Sequence, residues 1–469
     1  MLPTTFNYNV WPSVIIADKV SRMTITAAER AYMIPDGEVF TLKIVSVNTD
    51  ENYYEPSEYK TLEVSAEGGA LSFDFEFVGE GEHLIQLISE DRVIDSFVVY
   101  SLYEDLYERI PLKGDLHSHS CRSDGSRDAA SQAGHYREQG YDFVALTDHN
   151  RFYPGGEIDE VYAGVDTGLI RVPGEEVHSP GSVVHIVAVG GKYSVVERYV
   201  HDRESYDAEI EDYLKRVPEN IPEKFKDRYA KAMWATDAIH KAGGIAIFPH
   251  PFWRPGSKSY NLKSDHASIL LSSGMFDAYE LVGAMTQADI NLSLALWNEA
   301  SINGVNIPVV GSSDAHGLER ASTFPTNRTI CFAKEKSSDA IIAAVKEGMC
   351  VAAESSGSDY TVQHRCYGSF RLVSYAQFLF KYYFPNTQRL AAGAGVAMRA
   401  YAMEEIDSSV INGLTAMVDD YTARFFGRKP ARLPSAAMLD FEDKWRKVQL
   451  AGPKTRGSAV DGMPAKSLI

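Results

Sequence analysis

The sequence contains few cysteines and few basic residues relative to acidic ones, and each shortage excludes a class of protein. Its four cysteines, Cys121, Cys331, Cys350 and Cys366, follow no paired spacing among 469 residues. We therefore expect neither a disulfide framework nor a cysteine-based zinc finger. Lysine and arginine number 46 against 64 aspartates and glutamates, giving a net charge of −18. An acidic surface repels phosphate backbones, so we expect no nucleic acid as a stable partner.

Long apolar runs are also missing. The most apolar C-terminal stretches, 370–384 and 390–398, are interrupted or flanked by polar residues such as Lys381 and Arg389. They fall short of the roughly 20 apolar residues that a membrane span needs. The first residues lack the basic-then-apolar layout of a secretory signal. We therefore expect a cytoplasmic protein with no membrane partner, and the sequence leaves its oligomeric state open.

Three segments of the chain differ in their hydrophobic pattern. In residues 1–108 apolar residues alternate with polar ones, as in 71–77, and glycine-containing turns intervene, which predicts a β-sandwich. We expect His83, the only histidine of this segment, on a strand surface. Residues 109–356 alternate apolar strand-like runs with helical segments, which favours a parallel α/β barrel of about seven strands. Residues 357–469 predict a helical extension with a disordered tail after Ala451.

Six of the thirteen histidines fall at the ends of predicted strands of the middle segment, and three carboxylates accompany them. They are His117, His119, His149, His185, His250 and His316, with Asp124, Glu176 and Asp314. Strand ends converge on one face of an α/β barrel, so these side chains are expected around one point. Any one of them alone is more often a hydrogen-bonded structural residue. Nine together favour a metal centre, because apolar cores exclude unpaired ionisable groups.

The order of these motifs resembles that of the PHP (polymerase and histidinol phosphatase) family of metal-dependent hydrolases. GDLHSHS with SDG, ALTDHN, PGEE, VHIVAVG, GIAIFPHP and GSSDAHG occur in the family's order within about residues 112–353. The SDG motif and the closing AIIAAVKEGMCVAAES are most similar to the carbaryl-hydrolase-like branch. The resemblance implies a distorted seven-stranded (β/α) barrel holding up to three metal ions.

Carried over by motif, the resemblance implies three groups of ligands. The first contains His117, His119, Glu176 and Asp314; the second Glu176, His185 and His250; the third Asp124, His149 and His316. Glu176 is preferred to Glu175 because of its spacing from Gly174, and His178 is a poorer-fitting alternative to His185. Imidazoles and carboxylates without thiolates suit Zn²⁺, Mn²⁺ or Fe²⁺, and we expect two or three ions.

Such a cluster predicts hydrolysis by a hydroxide that bridges the metals. Metals roughly 3.5–4 Å apart share a water and lower its pKa from about 15.7 towards 7. Asp314 is the candidate for transferring the proton, and Glu176 is the candidate carboxylate shared between two metals. Asp115 and Asp148 are expected either to orient the ligands or to cap loops, and the sequence favours neither role.

Three arginines follow the histidine motifs closely and are candidates for binding a phosphate. They are Arg151, Arg254 and Arg320. The neighbouring Phe152, Tyr153, Phe252 and Trp253 favour a small-molecule pocket that stacks a ring, or else pack against flanking domains. The sequence therefore predicts a metal-dependent phosphoesterase acting on a small phosphorylated metabolite or nucleotide. A carbamate, ester or amide hydrolase is the first alternative, and a non-catalytic metal-binding module is the second.

Overall fold

The structure is a computed structural model that describes residues 7–48, 59–317, 324–357 and 362–451. Its strands are β1 (Tyr8–Trp11), β2 (Val14–Ile16), β3 (Val20–Ala27), β4 (Val39–Ser46), β5 (Lys60–Ser65), β6 (Ala70–Glu76), β7 (Gly81–Ser89), β8 (Arg92–Leu102), β9 (Ile110–Asp115), β10 (Phe143–Ala145), β11 (Ile170–Val172), β12 (Gly174–His178), β13 (His185–Val189), β14 (Ile245–Phe248), β15 (Ala278–Val282), β16 (Val309–Gly311), β17 (Asn327–Ala333), β18 (Cys350–Ser356) and β19 (Gln363–Tyr367). Its helices are α1 (Glu104–Tyr107), α2 (Ala129–Glu138), α3 (Gly156–Val161), α4 (Glu197–His201), α5 (Arg203–Leu214), α6 (Lys226–Lys241), α7 (Ser264–Leu271), α8 (Gln287–Ile302), α9 (Ser338–Lys346), α10 (Phe370–Tyr382), α11 (Phe384–Ala402), α12 (Ser408–Phe425) and α13 (Ala436–Ala451).

The described chain forms a mixed α/β protein with two compact units. One unit contains residues 102–425, and the other combines the described residues up to 101 with the segment from 426 onwards. This division differs from the three segments expected from the sequence, because α10–α12 belong to the same unit as β9–β19, whereas α13 belongs with β1–β8. The predicted disordered tail after Ala451 lies outside the described residues.

The smaller unit contains two sheets with the strand orders β1-β3-β6 and β2-β8-β7-β4-β5. Alternate residues of both sheets, such as Ile25 and Leu42, meet in one apolar core. The expectation of a surface position for His83 is wrong, since only 4% of it is exposed. It lies on the inward face of β7, two residues before the buried Ile85, and its Nε2 lies 2.8 Å from Oγ of Ser101. The period of two residues therefore places His83 inside.

The larger unit contains two further sheets, with the orders β11-β10-β9-β17-β18-β19 and β12-β13-β14-β15-β16. Apolar side chains of both, including Phe143 and Ile247, share one core. The expectation of an all-parallel arrangement is wrong for part of these sheets. β9–β10–β11 and β14–β15–β16 pair in parallel, whereas β12–β13–β14 and β9–β17–β18 pair in antiparallel. Only six residues separate β12 from β13, too few for the crossover connection that parallel neighbours require.

The helical part of this unit packs closely on the layer that carries the histidine motifs. α11 lies against α2, and the contact is so close that a Cβ on Gly395 would overlap the backbone of Glu138. Arg399 of α11 also pairs with Glu138 at 2.5 Å. Among the described residues, every helix is too short or too polar to traverse a lipid bilayer.

Candidate metal centre

The candidate site is formed by residues in or next to six strands of the larger unit. His117 and His119 follow β9, His149 follows β10, and His250 follows β14. Glu176 lies within β12, and His185 begins the antiparallel neighbour β13. Asp314 and His316 follow β16, and their loop is tied to the β9 loop because the His119 amide donates to the Ala315 carbonyl at 2.9 Å. The structure thus brings all nine candidate ligands together.

The first group of donors is buried most deeply. Nε2 of His117 lies 3.4 Å from Oε2 of Glu176 and 3.3 Å from Oδ1 of Asp314. Nε2 of His119 lies 3.5 Å and 2.9 Å from the same two oxygens. Neither imidazole is exposed to solvent. His117 and His119 therefore form a group with Glu176 that could hold a metal ion, and His117 forms a second such group with His250 and Asp314.

The second group surrounds the other oxygen of Glu176. Nδ1 of His185 lies 3.0 Å from Oε1, and Nε2 of His250 lies 3.4 Å from it. His178 also reaches this oxygen, with its Nε2 at 3.4 Å. The carboxylate of Glu176 thus presents one oxygen to each of two groups of donors.

The third group is more open to solvent. Oδ2 of Asp124 lies 3.4 Å from Nε2 of His149, and Oδ1 lies 3.3 Å from Nε2 of His316. Nδ1 of His316 is 2.9 Å from the Asp314 carbonyl and donates to it, which leaves Nε2 free as a ligand. The side chains of Asp124 and His316 are 54% and 40% exposed. This group therefore forms the solvent-facing side of the cluster.

Buried donors without hydrogen-bond partners indicate that the cluster fits metal ions. Both carboxylate oxygens of Glu176, Oδ1 of Asp314 and Nε2 of both His117 and His119 are buried without a hydrogen bond. Burying such atoms without a partner costs about 1–3 kcal/mol each. A divalent ion bound among these atoms would remove this cost by accepting them as ligands.

In the metal-free cluster the carboxylates and imidazoles shift each other's pKa. Against their own burial, Glu176 and Asp314 raise the pKa of His117, His149 and His250. Burial opposes ionisation of Glu176, yet the surrounding imidazoles, His117 first, hold the pKa of its carboxyl well below the usual range. Burial also opposes ionisation of Asp314, but His117 and His119 hold the pKa of its carboxyl below the usual range. Burial lowers the pKa of His185 to about 4, so this ring is neutral at pH 7, the form that binds metals.

Two of the candidate ligands have backbone conformations that ordinary residues avoid. His250 has φ of +25° and Asp314 has φ of +48°. Such left-handed conformations cost about 1–3 kcal/mol and persist where the surroundings fix them. Both turns redirect a side chain into the cluster immediately after a buried strand.

Two neighbouring aspartates, Asp115 and Asp148, hold loops rather than contact the cluster of ligands. Asp115 accepts from the backbone amides of His117 at 3.1 Å and Ser313 at 3.0 Å. Asp148 accepts from the amide of Ser120 at 2.9 Å. Both aspartates therefore fix the backbone of ligand-bearing loops through hydrogen bonds to amides.

Two glutamates near the cluster, Glu175 and Glu280, face opposite ways relative to the proposed ligands. Glu175 points away from the cluster and accepts from the Val195 amide at 2.5 Å, since consecutive strand residues face opposite sides. Glu280 was missed, although its Oε2 lies 2.8 Å from Nδ1 of His117. The sequence feature that could have identified it is a single glutamate in the otherwise uncharged strand Ala278–Val282.

The three arginines expected to bind a phosphate have different surroundings. Arg151 is exposed and, among the described residues, its side chain has no ion pair; it lines a cavity of about 880 Å³ with Phe152 and Tyr153. Arg254 pairs with the buried Asp289 at 2.8 Å, so its charge is already compensated. Arg320 lies outside the described residues.

Comparisons with known proteins give distant structural neighbours. Neither a protein-family model nor a curated protein matches the chain. A two-domain Bacteroides vulgatus protein containing a predicted PHP-like metal-dependent phosphoesterase is 19% identical, with a TM-score of 0.34 over 52% of this chain. The chain spans 65% of that protein's length.

Two other solved structures are similar over a smaller part of this chain. A Bifidobacterium adolescentis protein inferred to be a metal-dependent phosphoesterase is 16% identical, with a TM-score of 0.30, covering 44% of this chain and 87% of that one. A Chromobacterium violaceum amidohydrolase with bound sulfate and no metal is 18% identical, with a TM-score of 0.30, covering 45% and 89%.

Proposed function

We propose that the chain is a metal-dependent hydrolase, and specifically a phosphoesterase acting on a small phosphorylated metabolite or nucleotide. The observation that carries the proposal is the convergence of nine imidazole and carboxylate side chains, seven of which have a buried polar atom without a hydrogen-bond partner. In this proposal the two sheets of the larger unit correspond to the distorted PHP-type barrel, and the sheets of the smaller unit to a β-sandwich. The carbaryl-hydrolase-like branch and a cytoplasmic location stay predictions from the sequence.

The proposed ligands form the three groups that the resemblance implies, and each ligand belongs to at least one group of donors that the structure brings together. The first contains His117, His119, Glu176 and Asp314; the second Glu176, His185 and His250; the third Asp124, His149 and His316. Nitrogen and oxygen donors without a thiolate favour Zn²⁺, Mn²⁺ or Fe²⁺, and three groups accommodate two or three ions.

The chemistry of the site is divided between the metals and the chain. Bound divalent ions would supply Lewis-acid activation of a water molecule and would stabilise the charge that develops on the phosphoryl group. Glu176 holds two neighbouring groups of donors in register because each carboxylate oxygen belongs to one of them. In this proposal Asp314 would accept a proton from the attacking water and return it to the leaving group.

Substrate binding is proposed at the cavity lined by Asn150 and Arg151, the two residues that directly follow His149 in the sequence. Arg151 offers a cation that has no ion pair among the described residues, although Glu157, Glu160 and Glu197 line the same cavity. Phe152 and Tyr153 offer rings for the organic part of a substrate. The pairing of Arg254 with Asp289 removes one cation expected for phosphate. This pairing is the observation that favours the second candidate, hydrolysis of an uncharged carbamate, ester or amide.

Two adjacent glutamates provide a matched test of the proposed function. Glu176→Gln removes a proposed ligand, whereas Glu175→Gln changes a buried carboxyl on the opposite face of the same strand. Metal-reconstituted proteins would be assayed with p-nitrophenyl phosphate, bis(p-nitrophenyl) phosphate and p-nitrophenyl acetate. We expect hydrolysis of a phosphate ester by wild type and Glu175→Gln and its loss in Glu176→Gln. Turnover of the acetate alone would favour the second candidate, and no turnover of any compound would favour a metal-binding module.

A further inference from the structure

Glu280 is a fully buried carboxylate in the middle of a strand that otherwise carries no charge. All five residues of β15 are buried, and Glu280 itself is not exposed to solvent. Its Oε2 lies 2.8 Å from Nδ1 of His117, and its Oε1 is buried without a hydrogen-bond partner. Burying a carboxylate is costly unless it is paired. The pairing with His117 is therefore the evident reason for its presence in the strand.

The contact also determines which nitrogen of His117 faces the cluster. A neutral imidazole carries one N–H, and a carboxylate at Nδ1 accepts that hydrogen. The lone pair then lies on Nε2, the atom 3.4 Å from Glu176 and 3.3 Å from Asp314. Such partners orient metal-binding imidazoles, and their removal lowers metal affinity about 10- to 100-fold.

Gly283 provides the space that this carboxylate occupies. A Cβ built on Gly283 would overlap Oε1 of Glu280. Gly283 is not among the glycines with positive φ, so its backbone conformation does not require glycine. The Asn327 side chain donates to the Gly283 carbonyl at 2.8 Å and holds this segment in place. The absence of a side chain at position 283 is thus explained by the position of Glu280.

We propose that Glu280 is a positioning residue that holds His117 as an Nε2 ligand, and that Gly283 is required to keep the Glu280 carboxylate in place. The proposal rests on the proposed function, since it assigns a role within the same metal site. Glu280 and Gly283 support the nine proposed ligands from β15 and the segment after it. Neither residue is proposed as a ligand or as a contact of the substrate.

The test compares Glu280→Gln, Gly283→Ala, the double variant and the control Glu354→Gln. Glu354 is a buried carboxylate that accepts from the Tyr367 hydroxyl at 2.8 Å and is outside the cluster. Zn²⁺ affinity would be measured by competition with a chromophoric chelator. We expect the Zn²⁺ affinity of the tightest site to fall about 10- to 100-fold in each single variant. The double variant should lose no more affinity than a single variant does, because both changes remove the same contact. The control should change less than twofold. Wild-type affinity in a folded Glu280→Gln protein, or additive losses in the double variant, would overturn the proposal.

A spectroscopic measurement on the wild-type chain keeps the proposal testable if a variant fails to fold. Selective ¹⁵N-histidine labelling of the zinc-loaded protein, with the His117 signals assigned by a His117→Gln variant, reports which ring nitrogen carries the hydrogen. We expect hydrogen on Nδ1, and hydrogen on Nε2 would contradict the proposal. A wild-type chain that binds no Zn²⁺ would refute the proposed function itself, whereas normal Zn²⁺ binding with an indifferent Glu280 would refute only the role of Glu280.

Discussion

The rings of His178 and His185 stack with their centroids 3.8 Å apart, because the two residues are Cα partners in the antiparallel pairing of β12 with β13. Both rings reach Oε1 of Glu176, His185 at 3.0 Å and His178 at 3.4 Å. The sequence favoured His185 as the ligand of the second group but left His178 as an alternative. The hairpin places both histidines beside the same oxygen, so the two alternatives are distinguished by changing one histidine at a time.

We predict that His185→Ala loses one bound ion per chain, whereas His178→Ala keeps its full metal content. The physical reason is that His185 lies closer to Oε1, at 3.0 Å against 3.4 Å for His178, and shares a group of donors with His250. The group that contains His178 needs His149, which is assigned to the third group. Elemental analysis of the two reconstituted variants measures the difference. An ion lost from His178→Ala and retained in His185→Ala would reverse the assignment.

From the sequence, it was easier to predict which side chains lie close together than to predict the strand arrangement around them. Strand-end motifs can be recognised locally, and Asp314 and His316, 197 or more positions after His117, lie beside it in the structure because strand ends converge. Strand direction was not predictable in the same way, since the apolar pattern of β13 is identical for parallel and antiparallel pairing. The six-residue connection between β12 and β13 was the missed signal.

Long-range partners account for the remaining differences between sequence and structure. Arg254 was expected to be available for a phosphate, but it pairs with Asp289, which is 35 positions away in the sequence. Glu280 likewise meets His117 across 163 positions. Neither partner can be identified from local composition, because tertiary packing chooses it.

We predict that Arg151→Gln weakens the use of a phosphate ester much more than Arg254→Gln does. A charge-assisted hydrogen bond contributes about 1.5–3 kcal/mol, which corresponds to a rise in KM of about 10- to 100-fold when it is lost. Arg254 is expected to change KM less than threefold, because Asp289 already compensates its charge. Steady-state kinetics with an aryl phosphate measures both values, and Arg203→Gln, an exposed helical arginine paired with Asp207, is the control. Equal effects of Arg151→Gln and Arg203→Gln would exclude a phosphate-binding role.

The three groups of donors are expected to release their ions in a fixed order. Asp124 and His316 are 54% and 40% exposed, whereas His117 and His119 are fully buried. Solvent competes for the exposed donors, so the third group should bind most weakly. Titration with a chelator, followed by metal analysis, should remove one ion before the others, and Asp124→Asn should abolish only that first phase. Simultaneous loss of all ions, with no effect of Asp124→Asn, would contradict this order.

The smaller unit should lose stability in mild acid because of His83. Burial lowers the pKa of His83 to about 4 in the folded protein, against about 6.5 in an unfolded chain. The unfolded state therefore binds more protons between these two values, so stability is complete above pH 6.5 and falls as the pH decreases towards 4. The contribution at stake is about 3 kcal/mol.

A urea denaturation series at pH 7.5 and pH 4.5 measures this effect. His83→Gln removes the titrating group while keeping a polar side chain beside Ser101. We expect the free energy of unfolding to fall less between the two pH values in this variant than in wild type. The same decrease in both proteins would show that His83 does not determine the acid sensitivity.

Metal content per folded chain tests most directly whether the converging donors bind several ions. The purified protein would be stripped with a chelator, reconstituted with Zn²⁺ or Mn²⁺, dialysed and analysed for metal alongside Asp314→Asn. Asparagine tolerates the left-handed backbone at position 314, so this variant should keep its fold. We predict two or three ions per wild-type chain and fewer in Asp314→Asn, with unchanged circular dichroism. Less than one ion per wild-type chain, or equal content in the two proteins, would contradict the proposed metal centre.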